Sequence, residues 1–248
     1  MKGAAVKKLL VVAGLLAWPF FALANESAHL DRAPIDPNNQ ASLQRGAKTF
    51  VNYCLNCHSA SYMRYNRLTD LGLSEAQIKA NLLFAGEKVG DTMAVVMPKK
   101  DAKAWFGTAP PDLSVEARAR GADWLYSYLR GFYRDDTRPT GWNNTVYDKV
   151  AMPHALWQLQ GQQVLKAEEK LDAHGAKSEA HTLVLDKPGS LSPSEYDAVV
   201  ADLVNYMVYM SEPAKNQRLQ LGVIVLFFLG LLFVVAYYLK KEFWKDIH

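Results

Sequence analysis

Cys54-Leu55-Asn56-Cys57-His58 places two cysteines three residues apart with a histidine directly after the second, the attachment signature of a c-type haem. On a helical turn this spacing brings both thiols to one edge of a porphyrin, where they can add across its two vinyl groups. His58 then lies beneath the iron and can offer an imidazole nitrogen as an axial ligand. The chain has only two cysteines, and the motif uses both. A thioredoxin-like pair would need a strand-to-helix setting, and a zinc site would need further Cys or His ligands at short spacing. A structural disulfide would leave His58 without a role. Covalent haem attachment is the chemistry the spacing favours.

The opposite face of the iron must be filled or left open. A thioether raises the reduction potential and suits an electron carrier, whereas an open face allows small-molecule chemistry. Beyond residue 24 the methionines are Met63, Met93, Met97, Met152, Met207 and Met210. Met63 is too close to His58 to cross the porphyrin easily, and Met207 and Met210 fall in a predicted helix as core or interface filler. Met93, Met97 and Met152 remain. Met152 and Met97 each precede a proline, and His154 would make the iron bis-histidine. From the residues alone these candidates stay open.

The elements that would carry these groups lie between two apolar segments. Lys2, Lys7 and Lys8 precede an apolar run from Leu9 to Leu23, and Ala22-Leu23-Ala24 has the small residues of a cleavage site, so residues 1–24 are expected to be a cleaved export signal. Leu219 to Leu239 carries no charge and is long enough to cross a hydrocarbon core of roughly 30 Å. Lys240, Lys241 and Lys245 follow it, which places the tail in the cytoplasm by the positive-inside rule. The expected organisation is therefore a signal at 1–24, an exported haem domain at 25–213, an anchor helix at 214–240 and a short tail at 241–248. The formal net charge is +3, and removing the signal takes away three lysines and no acid. Neither the charge nor any basic patch suggests nucleic-acid binding.

Within the exported part, residues 25–39 form a polar arm with Pro34 and Pro37. A helix capped by Ser42 carries Leu43, Ala47, Phe50 and Val51 on one stripe and delivers the cysteine motif at its end. Ser74 to Gln77 opens a short helix. Pro110 and Pro111 fix an extended segment, after which Asp112 or Ser114 caps the helix with Arg118 and Arg120. Residues 122–132 form an aromatic helix, which is a core element and a candidate wall of the haem pocket. Residues 135–148 are turn-rich, and the charged stretch 165–186 reads as a solvated excursion. Ser192-Pro193-Ser194-Glu195 starts a last helix, broken by Pro213 before the anchor.

Several separated stretches together resemble the cytochrome c1 family, the haem subunit of the ubiquinol–cytochrome c reductase (cytochrome bc1) complex, in its bacterial form. They are RGAKTFVNYCLNCHS at 45–59, GTAPPDLS at 107–114 followed by RARG at 118–121, VAMP at 150–153, and MSEP at 210–213 leading into the anchor. The resemblance implies a mostly α, cytochrome c-like haem domain with long loop insertions and one C-terminal transmembrane helix. It implies one covalent haem c on Cys54 and Cys57, with His58 as proximal and Met152 as distal ligand. Pro110 and Pro111 would line the haem, and Arg120 would stand near a propionate. It further implies an electron relay without catalytic residues of its own, inside a proton-translocating reductase. The electron would come from the Rieske iron–sulfur protein and leave to a cytochrome c, with cytochrome b as membrane partner in a dimeric complex. The place implied is the bacterial inner membrane, haem domain in the periplasm. Two other classes fit the motif alone: a free-standing membrane-anchored shuttle, and a haem sensor or peroxidase with an open face. Some relatives have an extra cysteine pair near the distal methionine. This chain lacks it, so packing and turn chemistry must hold its Met152 loop.

Overall fold

The computed structural model describes residues 30–95, 97–171 and 177–246. The expected export signal lies outside them. Helix α1 (Gln40–Thr49) begins one turn before the first core residue because Asn39, and not the expected Ser42, caps it: the Asn39 side chain accepts from the Ser42 amide at 3.0 Å. Ser42 is itself buried and accepts a bond from Asn205 at 3.0 Å. The helix runs into a single π turn, Phe50–Cys54, closed by the Leu55 amide on the Phe50 carbonyl at 3.0 Å. Such one-residue bulges re-aim the side chains that follow them.

Beyond the cysteine motif come β1 (Ala60–Arg64), a 3-10 turn (Tyr65–Leu71), α2 (Glu75–Asn81), β2 (Thr92–Met93), α3 (Lys99–Phe106), α4 (Glu116–Arg120) and α5 (Ala122–Arg130). Strand β3 (Phe132–Arg134) pairs antiparallel with β4 (Trp142–Asn144), and the short α6 (Trp157–Gln160) follows. The charged stretch expected as a solvated excursion is an antiparallel hairpin, β5 (Gly161–Leu171) with β6 (Lys177–Pro188). Gln163 at its base donates to the Arg130 and Phe132 carbonyls, both at 2.9 Å, which ties the hairpin to the end of α5. Helices α7 (Pro193–Ser211) and α8 (Lys215–Phe243) complete the chain.

The core forms where α1 crosses α7. Phe50 lies against Tyr206 with ring centroids 5.6 Å apart, and Val200, Leu203 and Val204 are fully buried beside them. Gly46 permits the close approach: a Cβ there would meet the Asp202 carbonyl oxygen at 2.0 Å and the Tyr206 Cβ at 2.7 Å. Arg45 brackets the crossing with two bonds to the Asp202 carboxylate, at 2.6 and 3.0 Å. Each large apolar side chain fully buried there contributes roughly 1.5–3 kcal/mol.

Three residues separate α7 from α8, and an ion pair between Glu212 and Arg218 spans the junction. Within α8, Gln217–Phe243 is long and apolar enough to cross a membrane, and among the described residues its most apolar window is left uncovered.

Candidate functional site

His58 is held by a segment fifty residues further on. Pro110 and Pro111 supply no amide hydrogens, and their rigid backbone turns the Pro111 carbonyl toward the imidazole, with Nδ1 at 2.8 Å from the oxygen. A carbonyl can only accept, so Nδ1 carries the proton and Nε2 keeps its lone pair. Burial pulls the imidazole below its ordinary pKa, opposed by the Pro111 bond and by the Glu116 and Asp112 carboxylates, and the ring stays neutral at neutral pH. This is the state and tautomer a metal-ligating histidine needs.

Asp112 and Ser114, expected to cap α4, instead stitch this segment to the one following the cysteine motif. Asp112 accepts from the Ser61 amide at 2.9 Å, and Ser114 accepts from the Tyr62 amide at 3.0 Å. The Leu113 amide donates to the Ser59 carbonyl at 2.8 Å. Val115 takes the cap position of α4 without a side-chain bond.

Cys54, Cys57 and His58 open onto a cavity of about 610 Å³, within the roughly 300–1,000 Å³ of small-molecule and cofactor sites. All seven candidate residues line it: Cys54, Cys57, His58, Pro110, Pro111, Arg120 and Met152. Both thiols are free. Burial, and then the neighbouring Cys57, push the Cys54 thiol up to about 12, and burial raises Cys57 too. Neither is the low-pKa thiolate that a redox pair requires. Among the described residues no three His, Cys, Asp or Glu side chains gather into a metal-binding group.

The methionines separate by position. Met63 and Met93 are buried in the core, with Tyr206 directing its hydroxyl at the Met93 sulfur at 3.6 Å. Met97 is not on the cavity wall, nor is His154, whose buried ring stacks on Phe132 with centroids 4.8 Å apart. Met152 is on the wall, as is Met207 from α7.

The loop bearing Met152 is held by turn chemistry around a buried asparagine. Asn143 donates to Asp135 at 3.1 Å and to Asp148 at 2.9 Å, and its carbonyl oxygen accepts from the Lys149 amide at 2.8 Å. Lys149 adopts φ 58, a left-handed conformation rare for a lysine, and its amide has the Asn143 and Asp148 acceptors to fix it. Met152 packs beside the buried cluster of Phe132, Trp142 and Val150.

Helix α5 lines the cavity that His58 and Met152 share, the wall its aromatic sequence suggested. The individual residues, Trp124 and Tyr128, were not singled out by the sequence. Their four-residue spacing was the available signal, since it places both on one helix face. Their rings stack at 4.8 Å, and Arg120 lies over Trp124 at 4.8 Å. The Tyr128 hydroxyl donates to the Met152 sulfur at 3.4 Å. A largely apolar cavity with two free thiols, a neutral imidazole and a thioether on its wall, and one guanidinium at its edge fits a haem carrying charged propionates.

The Cytochrome C1 family matches this chain at residues 31–88 and 189–247. A cytochrome c1 of Allochromatium vinosum is 48% identical over 245 residues, covering 98% of this chain and 100% of the relative. A protein of Nitrosomonas europaea named "Ammonia monooxygenase gamma subunit" is 53% identical over 242 residues, 97% of this chain and 98% of the relative. A Rhodospirillum rubrum cytochrome c1 is 31% identical over 280 residues, 98% of each.

Proposed function

This chain belongs to the cytochrome c1 family, and we propose that it relays electrons as the haem subunit of a cytochrome bc1 complex through the cavity between His58 and Met152. Cys54 and Cys57 would hold one haem c through thioether bonds. His58 would offer Nε2 to the iron, with its ring oriented by the Pro111 carbonyl, and Met152 would offer its thioether. Pro110 and Pro111 would press on the macrocycle, and Arg120 would pair with a propionate. Bound there, the group supplies reversible one-electron chemistry. The protein would hold both ligands and leave no open face for substrate.

The observation that carries this reading is the single cavity shared by the two thiols, a histidine of defined tautomer and the Met152 sulfur. The subunit alone is a carrier. Within a reductase it would take the electron from the Rieske iron–sulfur protein and pass it to a cytochrome c, with α8 packed on cytochrome b in a dimeric complex. Residues 1–24 would be removed on export and 25–213 would stand in the periplasm. Residues 214–240 would anchor the domain in the inner membrane, with 241–248 on the cytoplasmic side.

The test is Met152→Leu in the purified holoprotein. We expect loss of the iron–thioether charge-transfer band and a sharp fall in reduction potential, while Met97→Leu leaves both unchanged. The reverse pattern would overturn the ligand assignment. Isolation in mild detergent without a cytochrome b or an iron–sulfur protein would overturn the assembly.

A further inference from the structure

The hydrogen bond from Tyr128 to Met152 has a chemical consequence that the ligand set alone does not contain. Tyr128 is fixed on every side but its hydroxyl. Its ring stacks on Trp124 at 4.8 Å with an interplanar angle of 11°, and meets Phe132 edge-on at 5.1 Å. Its carbonyl accepts from the Asn144 side chain at 2.8 Å and from the Gly131 amide at 3.1 Å. The hydroxyl that this clamp leaves on the cavity wall points at the Met152 sulfur, 3.4 Å away. Thioether sulfur is a weak acceptor. It has two lone pairs, so a bond on one leaves the other free for a metal.

We propose that Tyr128 is a positioning residue for Met152, holding the thioether at the cavity wall and drawing electron density from it. This rests on the assignment of Met152 as an iron ligand. A sulfur that shares density with a hydroxyl proton is a poorer donor, and a poorer donor stabilises the oxidised metal less. The hydroxyl therefore raises the reduction potential above what the same methionine would give in an all-apolar wall. It also opposes rotation of the flexible Met152 side chain away from the iron.

The experiment uses the intact complex purified from membranes with its haem in place, comparing the unaltered protein, Tyr128→Phe and Met152→Leu. Phenylalanine keeps the stack on Trp124 and removes only the hydroxyl. We expect Tyr128→Phe to retain the iron–thioether charge-transfer band, displaced in wavelength. Its equilibrium should shift toward the oxidised state by about three- to ten-fold, the effect of one hydrogen bond, which is roughly 30–60 mV at 59 mV per tenfold. An unchanged potential and band in Tyr128→Phe, with the band abolished in Met152→Leu, would overturn this proposal and leave the ligand assignment standing. A band that survives Met152→Leu would overturn both. Should Tyr128→Phe fail to mature, the unaltered complex still decides: transfer from H2O to D2O should shift the iron–sulfur vibration in resonance Raman spectra, and no isotope response would overturn the proposal.

Discussion

At the scale of single residues, the site divides into groups whose chemistry dictates adjacency and groups brought together only by the fold. Cys54, Cys57 and His58 belong to the first kind. Two thioether bonds and an axial ligand on one rigid macrocycle would fix their spacing, and a requirement of that kind is legible in a sequence. Met152 belongs to the second kind. Its local sequence, a methionine before a proline, is shared by Met97, and only the path of the chain puts one on the cavity wall and leaves the other off it. The Pro111 carbonyl was illegible for a similar reason, since a backbone oxygen leaves no trace in residue type. Asn143 makes the Met152 loop testable. It is 4% exposed and bonds Asp135, Asp148 and Lys149. Asn143→Ala would remove three bonds that join these residues, leaving the Lys149 amide only Asp148 and Asp135 only its bonds from Thr137, at a cost of about 1–3 kcal/mol. We expect the haem to remain attached through Cys54 and Cys57 while the iron–thioether band weakens, an outcome that absorption spectra of the ferric protein would check.

At the scale of elements, helix starts were legible where a cap serves its own helix. Ser74 with Gln77 and Ser192 with Glu195 both form reciprocal capping boxes. The expectation failed where a polar side chain is used across the fold. Asp112 and Ser114 bond the segment after the cysteine motif, and Ser42 bonds Asn205, so neither set is free to cap. The β5–β6 hairpin was missed because its charged residues mask the alternation that marks a strand. Glu195 gives a pH prediction. Bonds from the Ser192 hydroxyl and amide hold its carboxyl below the ordinary value of 4.5. The native state therefore binds this proton less readily than the unfolded chain, so the contribution is present above that value and is lost as pH falls below it. The thermal midpoint of the unaltered protein should drop more steeply over this range than that of Glu195→Gln. Gly46→Ala tests the α1–α7 crossing, because a methyl group would meet backbone and neither helix could yield by rotating a side chain. We expect about 1–3 kcal/mol of destabilisation, read as a lower unfolding midpoint and a smaller yield of haem-loaded protein.

At the scale of the whole molecule, the anchor was plain from its uninterrupted apolar run, since a helix crossing a bilayer needs no partner pattern to be recognised. Its orientation is open to experiment. A cysteine introduced at Lys245 should react with a membrane-impermeant maleimide in inverted vesicles and be protected in intact spheroplasts. Labelling in spheroplasts would place the tail on the wrong side. The junction between α7 and α8 extends this to motion. Only three residues, bridged by Glu212 and Arg218, separate the helix under the cavity from the helix in the membrane. A tether of that length sweeps a small arc. The redox centre would then sit at a nearly constant altitude above the lipid, like a fixed berth, and the travelling needed to load and unload each electron would fall to the proteins that visit it.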